Sequence, residues 1–225
     1  NASDPVVMAH APEGALLFGG VETPCRVDGE GSSALLIVND EPLIEVAALM
    51  RSLPHDLDNA QAAAALAIRA GASRTACAET LLGFAGLAHR MALVAEIEGV
   101  RFVDDSKATT PHATLTAMAG LPGSVLIAGG RSKGVDLAVL GRSRPRAVVA
   151  IGEAAEEIVE AFTGRCPVHE ATSMDEAVAL AHGAADGSGT VLLSPGYSSF
   201  DWYGSYVERG LDFGRIVRSL DGAGA

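Results

Sequence analysis

The sequence predicts an α/β protein built on a mostly parallel sheet, and three observations carry that expectation. From about residue 92, apolar strands alternate regularly with helical stretches. The strands are near-continuous runs of Val, Ile, Leu and Ala, as expected where helices cover both faces of a sheet. Glycine or small-residue turns follow several of the strand ends. Strands are expected at 93–97, 100–103, 124–130, 147–152, 166–171 and 190–196. Helices are expected near 111–119, 153–163, 173–185 and 203–220.

The first 50 residues read differently, as short extended pieces broken by turns. "ALLFGG" and "SALLIVND" are strand-like, with Gly19-Gly20 and "DGEGSS" as turns. Residues 58–71 predict a helix, because Ala is the strongest helix former and Gly71 stands where a C-terminal cap belongs. Residues 74–87 predict a second one. One face of each is poor in charge, which suits packing on a sheet. A boundary near His89 divides the chain into residues 1–88 and 89–225.

The 225 residues suffice for one large domain or two small ones. A formal charge of −12 excludes a phosphate-backbone binder, so no nucleic-acid partner is expected. Small anions remain possible ligands at local lysines and helix N-termini. Cys25, Cys77 and Cys166 form neither a metal pattern nor a disulfide framework, which points to a cytoplasmic location. No apolar run reaches membrane-spanning length, so no membrane insertion is expected. The chain opens on Asn1-Ala2-Ser3-Asp4 without methionine, as a processed or tagged product would.

Chemistry is expected outside the carboxyl ends of the strands. Three such ends carry small residues and polar side chains: "DDSKATTPH" (104–112), "GGRSKG" (129–134) and "SPGYSSFD" (194–201). One Gly-rich turn is ordinary in such a fold; three converging ones are not. Lys107 and Lys133 are the only lysines, the other fourteen of the 16 basic residues being Arg, and both lie in these loops. A lysine in such a place suits a point-charge contact with an anion. Neither a Walker phosphate loop nor Gly-x-Gly-x-x-Gly is present, which disfavours a dinucleotide oxidoreductase. His10, His169 and His182 read as surface or boundary residues, while His55 and His89 could be structural or ligand-facing. No spacing supports a metal site.

"GLAHR" (86–90), "GVRFVDDSKATTPHA" (99–113), "VLIAGGRSKGVDL" (125–137) and "VLLSPGYSSFDWYGSYVERGLDF" (191–213) occur in order. Together they closely resemble the C-terminal half of the Mur ligases, and among these the branch that adds D-glutamate. "PHDLDNAQAAAALA" (54–67) resembles the end of that family's central ATPase domain, with "NASDPVV" (1–7) similar to a stretch just upstream. The resemblance spans essentially the whole chain. It implies a Rossmann-like C-terminal domain (89–225), which binds the amino acid, preceded by the C-terminal part of the central ATP-binding domain (1–88).

The resemblance also implies roles. Arg90 and Asp105 resemble residues that reach the nucleotide, Asp105 at the ribose, and Asn59 one that contacts the adenine. Lys107 is implied to lie near the phosphates and the reacting carboxyl, as the catalytic candidate. Thr109, Lys133, Ser199, Phe200 and Tyr206 match positions around the incoming D-glutamate. Lys133 is a fitting counter-ion for one of its carboxylates and Ser199 a donor to the other. Four positions depart from the family pattern: Asp56, Asp104 and Thr110 stand where Asn is usual, and Ser3 where Asp is common.

The implied reaction uses ATP and Mg to phosphorylate the carboxylate of UDP-N-acetylmuramoyl-L-alanine. The D-glutamate amine then attacks the acyl phosphate. The family's UDP-binding domain, phosphate loop, Mg-binding glutamate and modified lysine are not in this sequence, so the Mg ligands fall outside it. The chain alone is expected to be inactive. A relative adding another amino acid, such as a folylpolyglutamate-type ligase, is an alternative; so is a non-catalytic ligase-derived binding protein. No Asp-Asn-Pro-Arg motif of the meso-diaminopimelate-adding ligase is present.

Overall fold

The computed structural model describes residues 1–132, 134 and 139–221. The chain divides into two compact units, Asn1–Ala85 and Gly86–Ala225.

In the first unit, β1 (Arg26–Asp28), β2 (Leu35–Val38) and β3 (Glu41–Glu45) form an antiparallel sheet in that order. Helices α2 (Pro54–Arg69) and α3 (Arg74–Gly83) pack on it around Cys25, Val38, Ala64, Ala65 and Cys77. Helix α2 starts four residues before the expected position because Pro54 occupies its first turn, where a missing N–H costs nothing. It ends as expected: Gly71, at φ +103°, donates to the Ile68 carbonyl and Ala72 to the Ala67 carbonyl, closing the last turn.

Two expectations for this unit fail. Residues 5–10 are not extended but form α1 (Pro5–His10), because Asp4 accepts the Val6 and Val7 N–H groups and Pro5 presets the helical φ. "ALLFGG" is not a strand. Only Phe18 pairs, through one bridge to Cys25, before Gly19-Gly20 turns the chain away.

The second unit carries the predicted fold class. Its six-stranded sheet combines β4 (Ala92–Ile97), β5 (Val100–Asp104), β6 (Val125–Gly129), β7 (Ala147–Ile151), β8 (Val168–Ala171) and β9 (Gly189–Gly196). The order is β4-β5-β9-β6-β7-β8, and every pairing is parallel except the β4–β5 hairpin. Helices α6 (Met174–Ala185) and α7 (Tyr206–Asp221) pack together on one face, over Phe102, Ile127, Val149 and Leu193. The intervening Leu126, Val148 and Leu192 are equally buried beneath α4 (Pro111–Gly120) and α5 (Ala155–Phe162). Burial on both faces explains why these strands read as unbroken apolar runs. Among the described residues, no helix is long and apolar enough to cross a membrane.

Candidate functional site

Strand β9, last in sequence, lies between β5 and β6, so the loops after these three strands meet at one sheet end. Backbone hydrogen bonds join them. Asp105 N–H donates to Leu193 O (2.8 Å), Gly196 N–H to Ala108 O (2.9 Å) and Arg131 N–H to Ser198 O (2.8 Å). Gly130 is required at this crossing. It adopts φ +135°, and a Cβ there would collide with Ser198 O.

The loop after β5 holds two adjacent buried carboxylates with different partners. Asp104 receives the Ser106 N–H at one oxygen (2.9 Å) and faces His89 Nδ1 with the other (2.7 Å). A carboxylate only accepts, so the proton on that side of the ring sits on Nδ1. Asp105 receives the Ser194 hydroxyl (2.8 Å) and the Met91 N–H (3.3 Å), and Ser194 also lies 3.3 Å from the Thr114 hydroxyl. Burial pushes the Asp105 carboxyl up to about 7, against the lowering effect of these two donors.

Lys107 follows, half-buried. Its ammonium donates to the Tyr206 hydroxyl (2.8 Å) and lies 4.0 Å from that ring's centre. Tyr206 opens α7, its carbonyl accepts the Ser106 hydroxyl (2.8 Å), and its ring meets His89 edge-on. The tyrosine O–H proton and two remaining ammonium donors can serve an anion.

The candidates therefore fall as follows. Asp105, Lys107, Thr109, Ser199 and Tyr206 lie in or beside the joined loops; Ser199 is buried, Thr109 half-buried and Phe200 exposed. Arg90, exposed, contributes weakly to the field at Asp105. Asn59 is exposed on α2 in the first unit. Lys133 lies outside the described residues. Among the described residues no group of three or more His, Cys, Asp or Glu could hold a metal ion. An apolar cleft of about 370 Å³ in the first unit, lined by Phe18, Ala65 and Leu66 among others, contains no candidate.

The four departures have local partners. Asp56 pairs with Arg51 (2.9 Å), Asp104 with His89, Thr110 caps α4 through the Ala113 N–H (3.4 Å), and Ser3 donates to Gly19 O (2.7 Å). Sequence reasoning missed Ser106, Ser194 and Arg209, and left His89 open. Ser194 and Ser106 carried a signal, standing at the end of β9 and beside Lys107; Arg209 lay inside the family-like stretch 191–213 but was given no role.

Residues 89–196 match the family described as Mur ligase, glutamate ligase domain. Residues 89–196 are a Mur ligase glutamate ligase domain. It is 44% identical to the UDP-N-acetylmuramoylalanine–D-glutamate ligase of Frankia casuarinae, over 99% of this chain and 49% of that one. It is 40% identical to the enzyme of the same name from Methylococcus capsulatus, over 98% and 50%. The chain thus spans about half the length of these curated relatives. Solved structures share the fold at low identity. A pseudomurein peptide ligase of Methanothermus fervidus matches at a TM-score of 0.65 and 16% identity, covering 88% of this chain and 42% of that one. The UDP-N-acetylmuramate–alanine ligase of Thermotoga maritima matches at 0.61 and 15%, covering 89% and 47%. The joined loops are thus those of a Mur ligase glutamate ligase domain.

Proposed function

We propose that this chain is the C-terminal half of a cytoplasmic, ATP-dependent ligase that adds D-glutamate to UDP-N-acetylmuramoyl-L-alanine in peptidoglycan synthesis. One observation carries the reading: relatives of that name match nearly the whole chain at 40–44% identity. The first unit is then the end of the central ATP-binding domain and the second the amino-acid-binding domain.

In this reading Asn59, Arg90 and Asp105 face the nucleotide. Lys107 stands near the reacting carboxyl, and Thr109, Lys133, Ser199, Phe200 and Tyr206 surround D-glutamate. A half-buried ammonium beside a phenol hydroxyl fits an anionic ligand, because both donate and neither repels negative charge. ATP with Mg supplies the phosphoryl group, the Mg ligands lying outside this chain. What these residues contribute is orientation: Lys133 and Ser199 hold the carboxylates of D-glutamate, Lys107 stands by the phosphates and the reacting carboxyl, and the incoming amine is placed beside the activated carboxyl.

The test is D-glutamate-dependent phosphate release. The complete ligase should show it with UDP-N-acetylmuramoyl-L-alanine and ATP, and the 225-residue chain alone should not. Release by the chain alone would refute the half-enzyme reading. In calorimetry on the complete ligase, stronger binding of L-glutamate or meso-diaminopimelate than of D-glutamate would refute the substrate.

A further inference from the structure

Arg209, on α7, is the largest of the fully buried side chains, at 1% exposure. Its partners are neutral oxygens. Nε donates to the Ser106 hydroxyl (2.9 Å), and one terminal nitrogen to the Ser106 and Tyr197 carbonyls (3.0 and 3.1 Å). The other terminal nitrogen is buried with no partner, beside Gly130. Burial pulls the guanidinium down to about 10, although the fields of Asp201 and Asp104 favour the cation. A buried cation without a contacting carboxylate is a poor source of stability, since an apolar side chain of similar volume often serves as well.

Geometry supplies what stability does not. The planar fork reaches two loops at once with donors held in fixed directions, whereas a lysine offers three donors on one freely turning nitrogen. Ser106 precedes Lys107, and Tyr197 stands two residues before Ser199. The Ser106 hydroxyl passes its own hydrogen on to the Tyr206 carbonyl, one helical turn before Arg209. Gly130 brings the third loop against the same side chain: a Cβ on it would lie 3.1 Å from the unpartnered nitrogen.

We propose that Arg209 is a positioning residue that sets Lys107 and Tyr206 relative to Ser199, so that the anion-binding loops form one unit. Only the identity of the anion, D-glutamate, rests on the proposed function.

The scarcity of lysine makes the positioning measurable on the chain itself. Arg209→Met keeps volume and removes charge; Arg209→Lys keeps charge and removes the fork. Competitive acylation with acetic anhydride, mapped by mass spectrometry, compares Lys107 with Lys133 and the Asn1 amine. In both variants, folded by circular dichroism, Lys107 should react about fivefold faster relative to Lys133 and the Asn1 amine, having lost its hold on Tyr206; the amine that Arg209→Lys adds is left out of the ratio. An unchanged Lys107 ratio overturns the proposal, as does a uniform rise at Lys107, Lys133 and the Asn1 amine. Loss of the fold in both variants also overturns it, making Arg209 a stability element.

In the complete ligase, either variant should raise the KM for D-glutamate about tenfold while the KM for ATP stays within about twofold. Equal changes in both overturn the proposal. If the wild-type ligase shows no D-glutamate-dependent phosphate release, the functional reading falls, and the lysine ratios still decide the positioning role.

Discussion

The Lys107 ammonium and the Tyr206 hydroxyl, 99 residues apart in sequence, share a 2.8 Å hydrogen bond at the meeting point of β5 and α7. The ring beneath the ammonium restrains it further, so the cation is aimed before any ligand arrives.

Tyr206→Phe should remove the hydrogen bond and keep the ring. The expected loss of stability is about 0.5–1.5 kcal/mol, read by urea denaturation of the chain. In the complete ligase the KM for D-glutamate should rise several-fold. A variant unchanged in both measurements removes the clamp.

Asp105 should make stability fall as pH rises. Its folded-state value of about 7 lies above the unfolded value of 3.8, so between them the folded chain keeps a proton that the unfolded chain has released. Stability from this residue is present below the unfolded value and is lost as pH climbs to about 7. Compared with Asp105→Asn, the wild type should lose about 2–3 kcal/mol between about pH 5 and pH 8. Denaturation curves of the two proteins falling in parallel would count against a buried, proton-holding Asp105.

Gly130→Ala should destabilise the second unit by about 2 kcal/mol or more. It combines a backbone conformation unfavourable to L side chains with a collision at Ser198 O. The urea midpoint reports it, and a midpoint within error of wild type would show that the loops can part at little cost.

Phe213→Ala should cost about 3–5 kcal/mol. Phe213 is fully buried on α7 against Phe102, 6.5 Å between ring centres, and anchors the helix that carries Tyr206 and Arg209. Thermal unfolding followed by circular dichroism measures it. A shift of less than about 2 °C would mean that α7 is held elsewhere.

Much of the second unit is legible locally. Its strands announce themselves as apolar runs because helices cover both faces. Thr110-Pro111, Ser173 with Glu176, and Ser205 with Glu208 mark helix starts, because a side-chain oxygen beside the first turn can accept orphan N–H groups. Asp4-Pro5 was the same kind of signal in the first unit, and it outweighed the extended reading of residues 5–10. "ALLFGG" failed for the opposite reason: an apolar run becomes a strand only when another strand presents its edge.

Local pattern thus determined the α/β class, most element positions and the three polar loops, since each depends on residue type and period within a few neighbours. Only the tertiary structure decided that β9, last in the chain, enters between β5 and β6. That insertion sets Ser194 against Asp105 and Arg209 beneath Ser106. Contacts across 89 and 103 residues depend on strand order, and no local period encodes it.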